Sequence, residues 1–488
     1  MKLRILDPNG KPYSRKAEAL FDKQARLRAT YDSAQTSTQT KRHWAASDSY
    51  SADTANSYSV RKKIRERARY EVDNNSYPEG IAEAFALDVI GTGPRLQVFT
   101  SDDNLNDEIE GRWNEWAAAI CLARKLRLLH RCRIIDGEAF GLTIDNPASA
   151  HAIKADLRIL ECDRFHNPSV MMQDNNIDGV IIDAAGNPIR YQVLKQHPGT
   201  SSYKYNDGFY IYLAKYVIHW FKQFRAEQHR GVSELRSVLE IFAYLRRWTL
   251  ANLSAAESAA DIALGLHTEA PASGETEDLE PLEAIELERG MMVTLPGGWK
   301  FDQVKTEQPP TTYPEYKKEL VKEGGRPALM PLNIAGGDSS DSNMASGRLD
   351  MQIYKNGCRI HQFDLSQIGC DKLFYHFMRE GRIIYKWPLA ATPAHAFMWD
   401  SPQYVINKLQ DARADAVMLE NNMTTLAEVF GRRGMDWRKQ LKQRQAEIEL
   451  ITKLGIAVAE EKPSGGNGSA GGQAAQAAAA ASDIMRRI

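Results

Sequence analysis

Apolar positions recur at helical spacing through several long stretches of the chain. One pattern covers residues 78–90, and Gly91-Thr92-Gly93-Pro94 stops it. A second covers 105–135, where Trp113, Trp116, Ile120 and Ala123 mark one apolar face. From 232 to 266 the pattern is helical and almost free of breakers, a length of roughly 50 Å at helix rise. Ala251, Ala255, Ala256, Ala259, Ala260 and Ala263 give its second half a small-residue face. Such a face suits close packing against copies of the same helix. Further helices are expected over 313–323, over 344–377 with interruptions near Gly357 and Gly369, and around 402–421 and 437–454.

Between the second and third helical patterns the period changes. Short, β-branched, turn-bounded runs at 138–144, 157–162, 179–182, 189–194 and 216–221 predict strands. The turn Asp183-Ala184-Ala185-Gly186-Asn187-Pro188 predicts a hairpin between two of them. Two more strands, 291–295 and 299–304, bracket Pro296-Gly297-Gly298. The order of elements predicts an α+β fold.

The polar segments divide the chain. Residues 1–55 are rich in Ser, Thr, Ala and Gln and read as a partly ordered arm. Glu269, Glu275, Glu277, Asp278, Glu280, Glu283, Glu286 and Glu288 follow one another with no Lys or Arg between them. A Gly-, Ser-, Asp- and Pro-rich loop spans 324–343, and a low-complexity tail begins at Lys462. The 488 residues imply two to four structural units. A net charge of −1 excludes tight wrapping of duplex DNA, which needs a clear basic excess. Contact with DNA would have to be local or sliding. Cys121, Cys132, Cys162, Cys358 and Cys370 are widely spaced and form no C-x-x-C pair, so reduced thiols are expected. The start of the chain has no apolar signal core, and no apolar run approaches membrane-spanning length. A cytoplasmic product follows as the expectation.

Catalytic signatures are missing. There is no G-x-x-x-x-G-K-[ST], no H-E-x-x-H and no G-x-S-x-G, and the histidines lack metal-ligand spacing. No cofactor and no metal are expected. The lone Gly91-Thr92-Gly93 turn lacks the strand, third glycine and helix of a dinucleotide fingerprint. The basic run Arg61-Lys62-Lys63-Ile64-Arg65-Glu66-Arg67-Ala68-Arg69 suits nucleic acid or an acidic neighbour surface; a solvated helix face is the alternative.

Several short motifs occur in a telling order. Basic residues precede Asp73-Asn74-Asn75. An apolar helix then ends in Val89-Ile90-Gly91-Thr92-Gly93-Pro94-Arg95-Leu96-Gln97. Asp136-Gly137-Glu138-Ala139-Phe140, Leu160-Glu161-Cys162-Asp163-Arg164-Phe165, and the hairpin from Asp178-Gly179-Val180 to Pro188-Ile189-Arg190-Tyr191 come next. Arg230-Gly231-Val232-Ser233, Ser342-Asn343-Met344-Ala345-Ser346-Gly347-Arg348, and Gly434-Met435-Asp436-Trp437 with Gln445-Ala446-Glu447 and Leu454-Gly455-Ile456 complete the series. In this order they resemble the lambda-type portal proteins of tailed bacteriophages, over about residues 57–456. Cys162 stands where that family commonly has proline, and Met344-Ala345 where it has Tyr-Ser.

The resemblance implies a non-enzymatic subunit of a dodecameric ring at one capsid vertex, assembled in the host cytoplasm and carried in the virion. The ring would be the channel for packaging and ejecting double-stranded DNA. Implied partners are the large terminase subunit, then a head-completion or connector protein, and a major capsid or scaffolding protein; no membrane is involved. Implied parts are an N-terminal arm (1–56), a mixed α/β wing (57–231), a first stem helix (232–266), a clip (267–308) and a second stem helix (309–323). A tunnel loop (324–343), a long helix behind it with further wing (344–400), a helical crown (401–460) and a disordered tail (461–488) follow. Arg326, Asn333, Ser339, Ser340 and Asn343 are the loop candidates for DNA contact. Lys317, Lys318 and Lys322 would give the stem a ring of positive charge, and Glu280, Glu283, Glu286 and Trp299 would meet partners at the clip. Each candidate has an ordinary solvated or buried role as its alternative. The rival function is a DNA-processing enzyme or accessory subunit of the packaging machinery.

Overall fold

The computed structural model describes residues 48–167, 175–201, 208–261, 265–268, 299–302, 312–340, 343–400 and 408–455. Two helices open the described core, α1 (Tyr58–Asn74) and α2 (Ser76–Ile90). Asn75 separates them and caps α2, its side chain accepting from the Tyr77 amide. Gly91 ends α2 at φ 52°, its N–H bonded to the Leu87 carbonyl at 2.7 Å. This is the stop that the glycine turn predicts.

Strand β1 (Arg95–Phe99) follows, then α3 (Asp103–Ala119) and α4 (Leu122–Asp136). The single helix expected over 105–135 is therefore two. The chain breaks at Cys121, which adopts φ 54° although no glycine or proline marks the spot. Burial explains the choice: Trp113, Trp116 and Ile120 on one side of the break and Leu122 on the other all reach the core.

Next come β2 (Glu138–Asp145), β3 (Ala155–Leu160), β4 (Asn176–Ile177), β5 (Val180–Ile182), β6 (Pro188–Leu194), β7 (Phe209–Leu213) and β8 (Val217–Phe221). They form two antiparallel sheets, β3-β2-β8 and β4-β5-β6-β7. The three-stranded sheet is covered on both faces. Ala139, Leu157, Ile218 and Trp220 join the main core with the helices. Phe140, Leu142, Leu160 and Val217 face Val180, Tyr191 and Val193 of the four-stranded sheet in a second core. The predicted turn at 183–188 is present, with Asp183 accepting from the amides of Ala185 and Asn187.

The helix expected over 232–266 is shorter at both ends. A 3-10 turn (Glu234–Ser237), capped by Ser233, precedes α5 (Leu239–Asp261), and β9 (Gly265–Thr268) follows it. β9 pairs with β10 (Trp299–Asp302), so of the two strands expected over 291–304 the described one pairs with the segment that follows α5. The other, 291–295, lies outside the described residues, as do the acidic residues from Glu269 to Glu288.

Helix α6 (Tyr313–Gly325) packs back on α5. Trp248 meets the rings of Tyr313 at 4.6 Å and Tyr316 at 5.2 Å. A Cβ on Gly324 would come within 2.7 Å of the Phe242 ring, so the crossing needs glycine. The expected loop 324–343 is partly helical. Its glycines 324 and 325 end α6, a 3-10 turn covers Arg326–Ala328, and α7 (Leu332–Ala335) follows.

Helix α8 (Met344–Leu365) runs through Gly357 without interruption and continues through a π-turn (Ser366–Cys370) into α9 (Asp371–Tyr385). The continuous rod is roughly 60 Å long. A Cβ on Gly369 would lie 3.6 Å from Ile218, so the π-turn falls where the helix rests on β8. β11 (Ala394–Met398) returns to pair with β1 over a wide sequence separation. α10 (Lys408–Glu420), α11 (Leu426–Gly431) and α12 (Trp437–Lys453) end the described chain. No helix among the described residues is long and apolar enough to cross a membrane. The five cysteines are free thiols.

Candidate functional site

Arg61, Arg65 and Arg69 lie four residues apart on α1 and share one face. That face turns inward. Arg61 and Arg65 are buried, at 4% and 3% exposure. Neither nucleic acid nor a neighbour's acidic surface can reach these two guanidinium groups, and they are not a solvated face. The outward residues of the run are Lys62, Lys63, Glu66 and Arg67.

Four carboxylates meet them. Arg65 donates to Asp163 at 2.7 Å and lies 3.4 Å from Glu138. Arg69 makes a two-pronged contact with Asp136 at 2.7 and 2.8 Å, and reaches Asp163 at 2.8 Å. Arg61 pairs with Asp178, which also accepts from His166. A fourth arginine, Arg230, grips Glu138 with Nη2 at 2.6 Å and Nε at 2.9 Å. Its Nη1 donates to the Phe165 carbonyl at 3.0 Å. His219 closes the set, 3.2 Å from Glu138 on one nitrogen and 3.3 Å from the Tyr191 hydroxyl on the other.

Two glycines make this approach possible. Gly137 has φ +90°, and a Cβ there would fall 2.0 Å from the Val232 carbonyl carbon. A Cβ on Gly231 would fall 2.2 Å from the Gly137 oxygen. Backbone therefore lies on backbone, and Glu138 and Arg230, 92 residues apart, are delivered to each other. The Gly231 amide also donates to Glu138 at 3.0 Å.

Four cations and four anions leave the hub with balanced formal charge. Burial alone would raise the Glu138 carboxyl. Arg230, then the bonds from His219 and Arg230, hold it well below the ordinary range instead. Asp163 is lowered in the same way, against burial, by Arg65 and Arg69. Asp178 is lowered, against burial, by His166, Arg230 and Arg61. The arrangement is a fixed clamp joining α1, the start of β2, the 162–164 turn, the β4–β5 turn and the segment leading to α5.

One cluster in it has metal-ligand geometry. Glu161, Asp163 and His197 offer one atom each within 4.8 Å of one another. Asp163 is already neutralised by Arg65 and Arg69, and His197 lies 2.7 Å from Glu161. The donor set fits an ion-pair network better than a cation site.

A second buried polar contact ties α4 to α8. His130 lies 3.2 Å from His361, and Arg133 donates to His361 at 2.8 Å. Burial, then Arg133, keeps both rings well below their usual pKa.

The residues expected to contact DNA are arranged differently. Arg326 is exposed at the end of α6, Asn333 is half-buried on α7, and Ser339 and Ser340 are exposed. Asn343 caps α8, accepting from the Ser346 amide at 2.8 Å. Lys317 leans over the rings of Tyr77 and Tyr313 at 5.4 and 5.6 Å. Lys318 reaches Asp338 at 3.2 Å and Ser340 at 3.4 Å, and Lys322 lies 3.5 Å from Glu319. The positive charges expected along α6 are thus partly offset within the subunit. Trp299 lies on β10 opposite Thr268; Glu280, Glu283 and Glu286 fall outside the described residues.

The hub gathers five of the sequence motifs: the basic run, Asp136-Gly137-Glu138, the segment holding Asp163, the turn at Asp178 and Arg230-Gly231. The family described as phage portal protein, lambda family, matches residues 37–362. The chain belongs to that family of phage portal proteins. Among solved structures, one titled as the virion of a native gene transfer agent particle is similar at 13% identity and TM-score 0.46, over 75% of this chain and 92% of that one. One titled as the neck of the native particle, computed with C12 symmetry, is similar at 12% identity and TM-score 0.43, over 73% and 88%. No curated protein matches.

Proposed function

We propose that this portal protein acts as one subunit of a closed dodecameric ring at a capsid vertex, lining the channel through which duplex DNA is packaged and ejected. The family match over 37–362 carries this reading. The antiparallel pair α5–α6, leading into the polar segment 326–343, supports it as stem and tunnel loop. A ring needs two different faces of one subunit to meet and close by rotation. Long rigid helices such as α5 and the α8–α9 rod suit that task.

In this reading the wing is 57–231, the clip 267–308 and the crown 401–460. Arg326, Asn333, Ser339 and Ser340 touch DNA backbone, and Asn343 adds its amide N–H group. Such contacts are sequence-independent, because phosphate contacts carry no base information. Weak, local contacts also suit sliding, since each neutralised phosphate tightens binding. The chain carries no catalytic role; the motor's ATPase is a separate partner, the large terminase subunit, replaced later by a head-completion protein. Acidic Glu280, Glu283 and Glu286 suit a basic surface on those partners.

Electron microscopy of the purified protein with native mass measurement tests the ring. Closed rings with a channel wide enough for duplex DNA are expected. A monomer or dimer under all salt and concentration conditions would sink the reading. For the clip, charge reversal at the three glutamates should weaken terminase and connector binding; unchanged binding would remove the clip assignment.

A further inference from the structure

A groove of about 480 Å³ lies between the Gly93 turn, the start of β1 and the first turn of α4. Three arginines line it, Arg95, Arg124 and Arg127, and no Asp or Glu does. The contrast with the rest of α4 is sharp. Lys125 pairs with Asp156, Arg131 with Glu83 at 2.8 Å, and Arg133 with Glu234 at 3.3 Å. Among the described residues Arg127 donates to the Gly91 carbonyl, at 2.6 Å, and pairs with no carboxylate. Among the described residues Arg95 and Arg124 have no carboxylate partner, and both are exposed. Thr92, which also lines the groove, donates to the Asp400 carboxylate, but that acid does not itself line it; the three guanidinium groups outnumber it and repel each other, so an anion bound between them is favoured.

The start of α4 adds to this. Leu122 and Ala123 line the groove, and Cys121 before them offers no side-chain cap. The positive end of the α4 dipole therefore borders the groove. Planar guanidinium forks match the oxygens of a phosphate two at a time.

We propose that this groove is a phosphate-binding site, and that it takes the phosphodiester backbone of nucleic acid. It lies in the 57–231 region, apart from the 326–343 segment. The choice of nucleic acid as the source of phosphate rests on the channel reading above; the groove's anion chemistry does not.

The full-length protein is titrated with a short fluorescein-labelled duplex at several salt concentrations. Substituting Arg95→Ala with Arg124→Ala is expected to weaken binding about tenfold at low salt and to reduce the salt slope by about 2. The Arg95→Lys, Arg124→Lys pair keeps the charges and should keep the slope. Affinity of the alanine pair within about twofold of the parent overturns the proposal. Two further arms separate other ligands. Inorganic pyrophosphate binding that the alanine pair abolishes, with duplex binding unchanged, would assign a small phosphate instead. The synthetic acidic peptide 275–288 behaving in that way would assign a carboxylate-rich segment instead. Either result also overturns the nucleic-acid site. Failure of the channel reading would appear separately, as absence of rings in the electron micrographs.

Discussion

Of the six basic residues on α1, Arg61, Arg65 and Arg69 share one face, whereas α6 carries three lysines, and the fold uses the two sets in opposite ways. On α1 the residues are arginines, they point inward, and each meets a carboxylate on a distant segment. On α6 they are lysines at the surface, leaning on rings or on nearby acids. A charge run alone does not decide between these fates. What decides is whether other segments place carboxylates, and the glycines that admit them, opposite the same face. Arginine suits the first use because its fork binds two oxygens at once and it is weakly hydrated; lysine, strongly hydrated on a flexible stem, suits the second.

The strongest way to break this comparison is to remove the hub's central acid. Glu138→Ala leaves Arg65 and Arg230 buried without their shared partner, and about 3–5 kcal/mol of stability should be lost. Urea unfolding followed by tryptophan fluorescence would measure it. A loss near zero would mean that water or a rearranged Asp163 or Asp178 replaces the carboxylate, and that the hub is not a clamp. Gly137→Ala keeps every charge but forces a Cβ into the 232 backbone at positive φ. Strain at positive φ and overpacking against backbone add, so a loss comparable with that of Glu138→Ala, about 2–6 kcal/mol, is expected with the same measurement.

Acid should separate the two regions further. His130 and His361 have folded pKa values below their unfolded ones, so their contribution is complete above the unfolded value, about 6.5, and is lost progressively as pH falls from there towards the folded values. Glu138, Asp163 and Asp178 are also lowered, so their share is lost further down, starting near the ordinary carboxylate range of about 4. Thermal unfolding scans from neutral to acid pH should show a first loss of stability near the histidine range and a second, steeper one near the carboxylate range. Glu138→Gln should flatten the second; it also removes the carboxylate that holds up His219, a ring already lowered by burial, so the first should not shrink. A profile that stays flat until the carboxylate range would remove the histidine pair from the account.

Much of the fold was legible because its periodicity is strong. The strands 138–144 and 189–194, the hairpin at 183–188 and the stop at Gly91 follow from local turn and pattern chemistry. The elements that sequence reasoning missed depend on distant partners. β1 and β11 pair across a wide separation in sequence, and the break at Cys121 is set by which side chains can be buried. The clamp was half visible. Its motifs could be read in order, and arginines at 61, 65 and 69 carry a one-face spacing that signals burial as well as exposure. Nothing local shows that Glu138 and Arg230 meet, because that depends on two glycine backbones lying together.

The smallest effect is expected on α6, and it sharpens the contrast most directly. Lys322→Ala removes an exposed charge whose neighbour Glu319 lies 3.5 Å away on the same helix, with 61% of the lysine side chain open to solvent. Water replaces such a contact at little cost, since two flexible side chains regain their freedom and solvent screens the charge. The urea midpoint should stay within experimental error of the parent. Arg65→Ala, with the same loss of one positive charge, should move it by an amount comparable with Glu138→Ala. If the lysine variant were as damaging as the arginine one, α6 would be held by charge in the way α1 is, and exposure would no longer separate the two runs.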